Sequence, residues 1–495
     1  MIPVVSASLM RRSDLSCPTP QEVLVGRAAD ALLPEFADAA RCAVVCGSGN
    51  NGADGFALAA KLAGVGKTCR VLRISERTTD TGRYWLAECE RLGVPVTVVP
   101  DGNFDFSADT DLADCLFGTG FHGNAEGVYR TAIEAINASG CRVVSADINS
   151  GLSADSGLGE PAVRSDLTVA FGAYKSGHFL GRAKDLIGRM RVADVGIPLL
   201  PEHCAFWVRS SDLAPLLPPR MQCSHKGDYG YIALLGGCTE YSGAAKLANL
   251  SQSALRAGCG VATLAVPASL AGAVAPCLLE STLAPAPDRE GHMICDEAFL
   301  SGLIAGRRAV GVGMGWGRSE ENQKILAYLL SHMTAPLLID ADGLYALSRL
   351  GTDCLRQATC PVILTPHMGE FSRLSGLSPE TVLEDPIAHA ERFAASCGVI
   401  LLLKGPSTII TDGCETLLVR CGCAGMATAG SGDVLSGILT GLLGYLSAGV
   451  WTVALGAYLA GTAGELAARE KGEISMLASD TVSHIAEAVR TLTGR

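Results

Sequence analysis

The sequence predicts an α/β chain of two domains, each built on a mostly parallel sheet with helices on both faces. Short β-branched runs alternate with helical stretches through residues 41–171, and the alternation restarts after residue 229. Between the two series lie Pro198, Pro201, Pro215, Pro218 and Pro219 with no apolar period, which puts the boundary near Ser210 and the domains at 1–210 and 211–495. With 48% hydrophobic residues in 495, each half can bury a core of its own.

The elements follow in order. Residues 21–40 read as a helix. RCAVVC (41–46) is a strand that ends in glycines, and the helix after it stops at another glycine. TCRVLRIS (68–75), PVTVV (95–99), DCLF (114–117), CRVVSA (141–146) and LTVAF (167–171) continue the strands of the first half. In the second half, strand-like runs open YGYIALLGG (229–237), GVATLAVP (260–267), RRAVGVGMGWG (307–317), APLLIDADG (335–343), CPVILTPH (360–367) and GVILLLKGPSTIITDG (398–413), with a helix over 243–258. Residues 434–464 carry no charge. Their seven glycines and several hydroxyls predict two buried helices broken near Gly449 rather than a membrane span.

The net charge of −11 argues against general nucleic-acid binding, which requires basic surface. Nineteen cysteines are scattered without a CxxC pair or a zinc-spaced Cys/His cluster, which predicts free thiols in a reducing compartment. No signal-peptide core precedes the first charges, and a cytoplasmic location is expected.

GSGNNGADG (47–55) follows a strand and opens a helix. Gly47, Gly49 and Gly52 satisfy G-x-G-x-x-G, and Glu76 ends the next strand where a ribose-binding acid is expected, so a nicotinamide-dependent oxidoreductase is one reading. The polar filling differs from that pattern. Asn50, Asn51 and Asp54 offer oxygens suited to hard cations and hydroxyls, or act merely as turn formers and a helix cap. Asp114, Asp147 with Ser150, and Lys175 stand at three further strand ends, the edge where open α/β sheets bind ligands.

In the second half, AGMATAGSGDVLSG (424–437) places Gly430, Ser431 and Gly432 before an apolar helix. Such a loop stacks N–H groups at a positive helix end and can hold a phosphoryl group, with Asp433 placed either as a base or as a plain cap. KGPST (404–408), IDADG (339–343), TPHMGE (365–370) and GVGMGWG (311–317) bring Lys404, Thr408, Asp340, Asp342, His367 and Glu370 to the same edge. GxxxxGK[ST] is absent, so this is not a P-loop site.

NNGADG, DCLFGTG and DINSG resemble, in order, the signatures of the NAD(P)H-hydrate epimerase domain over residues 10–205. That resemblance implies a Rossmann-like three-layer αβα domain. Asn51, Asp114 and Ser150 would hold K+. Asn50, Asn51, Gly52, Ala53, Asp54, Gly118, Thr119, Gly120, Phe121, His122, Gly123 and Asn124 would wrap the hydrated dinucleotide, and Asp147 would be the acid/base. Asn149 stands where the family usually has proline.

HKGDYG (225–230), YSGAAKLA (241–248), DADGL, LTPHMGE, LKGPST and GMATAGSGD are similar to the ADP-dependent NAD(P)H-hydrate dehydratases of the ribokinase-like superfamily over residues 212–495. Here the resemblance implies a ribokinase-like αβα domain, ADP as co-substrate and Mg2+ on its phosphates. Asp433 would be the base and Gly432 would hold the phosphoryl group. Lys404, Gly405, Pro406, Ser407 and Thr408 would contact the AMP part; Ala244, Gly313, His367 and Asp433 would hold the hydrate. Ala424, Ala429 and Ser407 depart from the usual pattern. Together the halves imply repair of hydrated NADH and NADPH by a homo-oligomer acting on small molecules alone, with no nucleic-acid or membrane partner. The competing reading is a ribokinase-like kinase for a vitamin precursor, with a non-catalytic N-terminal binding domain.

Overall fold

Cys42, Ala43, Val44, Val45 and Cys46 are all fully buried, so the strand they form must lie between two helical layers. The computed structural model describes residues 1–247 and 253–495. They divide into Pro3–Cys204 and a second unit of Met1–Ile2 with Ala205–Arg495.

In the N-terminal unit the strands are β1 (Ile2–Val5), β2 (Cys42–Cys46), β3 (Cys69–Arg73), β4 (Val96–Val98), β5 (Asp111–Cys115), β6 (Arg142–Ala146), β7 (Ser165–Phe171), β8 (Tyr174–Lys175) and β9 (Ile187–Ala193). The seven-stranded sheet runs β4-β3-β2-β5-β6-β7-β9. Every neighbouring pair in it is parallel, and β1 pairs in parallel with β8 outside it. Alternation along β2 sends Val44 into one core with Phe56 and Leu62, and Ala43 and Val45 into the other with Leu112 and Ile133. Strand order reverses between β2 and β5, which opens a crevice at their carboxyl ends.

The second unit repeats the plan. Its strands are β10 (Ala205–Trp207), β11 (Tyr231–Gly236), β12 (Val261–Pro267), β13 (Thr282–Ala286), β14 (Asp288–Arg289), β15 (His292–Met293), β16 (Ala309–Met314), β17 (Leu337–Ile339), β18 (Val362–Leu364), β19 (Ile400–Leu403), β20 (Thr408–Thr411) and β21 (Thr416–Val419). The order is β13-β12-β11-β16-β17-β18-β19-β20-β21-β10. The sheet is parallel as far as β19, then β20 and β21 join antiparallel, and β14 and β15 form a separate hairpin. Here the order reverses between β11 and β16.

Residues 21–40 form a shorter helix than predicted, Gln21–Leu32, because Pro34 tightens the next turn into a 3-10 helix. The uncharged stretch 434–464 lies in two helices, Ser431–Leu443 and Val450–Lys471, with the break ending at Gly449. Leu439 and Leu455 are fully buried in the core of this unit. Among the described residues no helix is long and apolar enough to cross a membrane. Of the helix predicted over 243–258, the turns Ser242–Ala245 and Ser253–Arg256 are described, while 248–252 lie outside the described residues.

Candidate active sites

The first crevice is a cavity of about 840 Å3. After β2 the chain turns into helix Asn50–Gly64. Gly52 is required there, because a Cβ would sit 2.0 Å from the Gly47 carbonyl oxygen. The turn therefore presents Asn50, Asn51 and Asp54 to the cavity, opposite Gly118, Thr119, Gly120, Phe121 and His122 from the loop after β5, with Asp147 after β6. Asp54 lies inside the helix rather than at its cap. Gly52, Ala53, Gly123 and Asn124 do not line the cavity. Asn124 instead accepts a hydrogen bond from the Glu160 N–H at 3.1 Å. Glu76 is exposed and stands outside the cavity, which counts against the ribose-binding role that the oxidoreductase reading gives it.

Asp147 is one of few non-glycine residues with left-handed backbone, at φ 66°. Such strain, which clusters at functional sites, aims its carboxylate into the crevice. That carboxylate accepts from Lys175 Nζ and from the Phe171 N–H at 3.1 Å. Lys175 is 1% exposed and also donates to the Phe171 carbonyl at 2.9 Å. His178 Nε2 lies 2.8 Å from the Asp147 carbonyl, and its Nδ1 accepts from the Lys175 N–H at 3.0 Å. Burial, aided by the Lys175 charge, pushes His178 down to about 4, so its ring is a neutral strut at pH 7. Burial, and then the charge of Asp147, raise Asp54 well above the carboxylate range.

Of the residues expected around K+, Asn51 and Ser150 meet at the Phe117 carbonyl. Asn51 Nδ2 donates to it at 2.6 Å, and Ser150 Oγ lies 3.4 Å away. Asn51 Oδ1 is buried without a hydrogen-bond partner among the described residues. Asp114 accepts from Ser150 Oγ at 2.5 Å, Ser150 N–H at 2.9 Å and Ser145 Oγ at 2.8 Å. An orphaned amide oxygen, a backbone carbonyl and a hydroxyl are oxygen donors of the kind a hard cation takes. Asn149 is fully buried. Its amide donates to the Val163 carbonyl at 2.9 Å and to Ser165 Oγ at 3.0 Å, contacts a proline could not make.

The second crevice is a cavity of about 860 Å3 between the loops after β11 and β16. Asp433 is the third residue of helix Ser431–Leu443, which follows Gly430, and no side chain caps that helix. With Ala244, Asp342 and Arg318 it lines the cavity. Behind it, Asp340 Oδ1 accepts from Lys404 Nζ at 2.9 Å and Oδ2 from Ser436 Oγ at 2.6 Å. Burial alone would raise Asp340, but Lys404 and Ser436 together hold it below its ordinary value. Lys404 is lowered by burial, yet Asp340 and Glu370 outweigh that and keep it raised. Asp433, with no such hydrogen-bonded partner among the described residues, is pushed up to about 7, first by burial and then by the Asp340 charge, which outweigh the lowering by Lys404. A Cβ on Gly432 would stand 3.6 Å from Lys404 Nζ, which places the glycine loop directly over this ion pair.

The remaining expected residues are more dispersed. Gly313 is buried, and a Cβ there would lie 2.0 Å from the Asp340 carbonyl oxygen, so this glycine lets β16 approach β17. His367 is exposed and caps helix Met368–Ser375, its Nδ1 accepting from the Gly369 N–H at 3.0 Å. Gly405 and Pro406 are exposed after β19, Ser407 is buried, and Thr408 starts β20. Neither these nor His367 line the 860 Å3 cavity. Two residues were given no role by the sequence. Arg11, on helix Ala7–Ser16, lines the first cavity without any local signature, and Ser436 reaches Asp340 from one turn past the glycine loop.

Each half of the chain matches a known family. Residues 22–177 match the family described as YjeF-related protein N-terminus, and residues 232–487 match NAD(P)H-hydrate dehydratase. The chain is 36% identical to a bifunctional NAD(P)H-hydrate repair enzyme of Thermofilum pendens, over 91% of this chain and 87% of that protein. It is 35% identical to the enzyme of that name from Moorella thermoacetica, over 91% and 88%. Among solved structures, the ADP/ATP-dependent NAD(P)H-hydrate dehydratase of Bacillus subtilis, co-crystallised with ATP and Mg2+, is 28% identical with a TM-score of 0.51, covering 57% of this chain and 97% of that one. A ribokinase-like superfamily protein of Enterococcus faecalis shares the fold at 24% identity and TM-score 0.51, covering 58% and 96%.

Proposed function

Because this chain belongs to the bifunctional NAD(P)H-hydrate repair enzymes, we propose that residues 1–210 interconvert the R and S hydrates of NADH and NADPH, and that residues 211–495 dehydrate the S hydrate at the expense of ADP. Hydration of a planar ring carbon yields both hands. A dehydratase site shaped for one hand drains the whole pool only if the other is converted to it.

The observation that carries the dehydratase assignment is Asp433, a cavity carboxylate raised to about 7 beside a glycine loop at a helix start. Near neutrality such a group takes up and releases a proton with little cost in either direction. In this reading Asp433 removes the proton from the ring hydroxyl, whose oxygen then attacks the terminal phosphorus of ADP. AMP leaves, and backbone N–H groups from Gly430 to Gly432 hold the migrating phosphoryl group. Loss of phosphate from the ring carbon, with loss of a proton from its neighbour, restores the dihydronicotinamide. Lys404 to Thr408 would face the AMP part, and Ala244, Gly313 and His367 the hydrate. Mg2+ would enter with the nucleotide phosphates and offset their charge.

In the N-terminal half Asp147 would move the proton, with Lys175 fixing its carboxylate and Asn51, Asp54 and the loop 118–124 holding the dinucleotide. A K+ ion near Asn51, Asp114 and Ser150 would supply positive charge beneath that loop. The nineteen scattered cysteines, with no CxxC pair among them, support a reducing, cytoplasmic setting, and the homo-oligomer rests on family resemblance.

The test adds purified chain to mixed hydrate epimers and follows recovery of reduced-nicotinamide absorbance. Full recovery with ADP, and none without it, is expected. Recovery that stops at the S fraction would remove the epimerase, and a stable phosphorylated alcohol would replace the dehydratase with a kinase.

A further inference from the structure

The reversal point of the second sheet carries a group of side chains with no place in that chemistry. Cys238 and Glu240 follow β11, and His292 comes from the β14–β15 hairpin 54 residues away in sequence. The Cys238 thiol sulfur, a Glu240 carboxylate oxygen and a His292 ring nitrogen all lie within 4.8 Å of one another. His292 Nε2 is 3.5 Å from Glu240 Oε2. His292 Nδ1 is buried and has no hydrogen-bond partner among the described residues. Gly317 keeps the space between donors open, since a Cβ there would stand 3.1 Å from that Nδ1 and 3.4 Å from Cys238 Sγ.

We propose that Cys238, Glu240 and His292 form a binding site for a borderline divalent cation of the Zn2+ class, with its fourth position open to the cavity. Thiolate, imidazole and carboxylate are each zinc donors, and three protein ligands leave the fourth tetrahedral position open. A sulfur donor selects against Mg2+ and Ca2+, which take oxygen ligands. Ligand atoms around a tetrahedral zinc stand about 3.3–3.6 Å apart. The spacing within 4.8 Å therefore needs only side-chain rotation to close. Glu240 and His292 line the cavity together with Asp433, so the fourth position faces the cavity and takes water or a phosphate oxygen. Binding releases the thiol proton to solvent, and affinity rises with pH accordingly.

The site does not depend on the hydrate-repair reading, and its test requires no turnover. Metal-free full-length chain is titrated with Co2+ as the spectroscopic probe. One Co2+ per chain is expected, with a thiolate-to-cobalt charge-transfer band and the intense visible bands of tetrahedral geometry. Zn2+ in equal amount should displace both. Cys238→Ser should abolish the charge-transfer band. His292→Ala and Glu240→Gln, at partly exposed positions, should each weaken cobalt binding at least about tenfold. The proposal fails if the parent chain shows no charge-transfer band, if Cys238→Ser keeps it (so that one of the other eighteen cysteines is the ligand), or if neither His292→Ala nor Glu240→Gln changes the affinity. Should Cys238→Ser not fold, the last two variants decide.

Discussion

Replacing Asp433 with Asn should lower activity and raise stability, and the stability gain should depend on pH. Asp433 is displaced from 3.8 to about 7, chiefly by burial and secondly by the Asp340 charge. Three units at about 1.36 kcal/mol each set a ceiling near 4 kcal/mol. The side chain meets solvent at the cavity mouth, so about 1–3 kcal/mol is the realistic penalty. Below pH 3.8 the folded and unfolded chains both hold the proton and the penalty is absent. Between 3.8 and 7 the unfolded chain ionises while the native one does not, so the penalty grows, and above 7 it is complete. Asn never ionises and escapes it. Melting of the full chain, followed through the transition that ADP shifts upward, should therefore rise by about 2–6 °C for the variant at pH 8, with only a small fraction of that gain at pH 4. Dehydration should meanwhile fall by about 10²–10⁴. Equal melting gains at both pH values would refute the electrostatic account. A variant retaining more than about a tenth of the parent rate would refute the base.

Three further outcomes separate the two sites. Asp340→Asn removes the larger of the two acidic charges that raise Asp433 and leaves the Lys404 charge opposed only by Asp342, so the acid limb of kcat/KM for dehydration should move below pH 7; a limb that stays in place or rises would count against this coupling. Lys175→Met removes the cation on Asp147, and epimer exchange, read by following the R hydrate, should fall at least about 100-fold while dehydration of pure S hydrate is unchanged. Gly52→Ala would force a Cβ to within 2.0 Å of the Gly47 oxygen; a loss of about 3 kcal/mol or more in the N-terminal melting transition is expected, with dehydration intact.

Why some of this was legible in the sequence is a matter of geometry. Parallel strands sheathed on both faces must be apolar throughout, and CAVVC in β2 or AVGVGM in β16 shows as an unbroken run. Strands such as β8, of two residues, and β10, of three, are held by neighbours distant in sequence and leave no pattern to read. The glycine loops were conspicuous because backbone atoms touch there, Gly52 on Gly47 and Gly313 on Asp340. The partnership of Lys404 with Asp340 was not legible. The two lie 64 residues apart, and only the order β17-β18-β19 brings those strand ends together. Cys238 and His292 escaped for the same reason, since a hairpin and not a short spacer sets their separation.

Both halves bury a lysine against an aspartate, and the choice of aspartate separates their chemistry. Lys175 binds the carboxylate of Asp147 itself, so the cation stays with the group proposed to move the proton. Lys404 is committed to Asp340 instead, together with Ser436. That arrangement keeps a fixed anion within reach of Asp433, and that anion adds to burial in raising Asp433 to about 7. Strand order places each site in its crevice, and the strand end that carries the buried ammonium sets which aspartate it pairs with, Asp147 in the first half and Asp340 in the second.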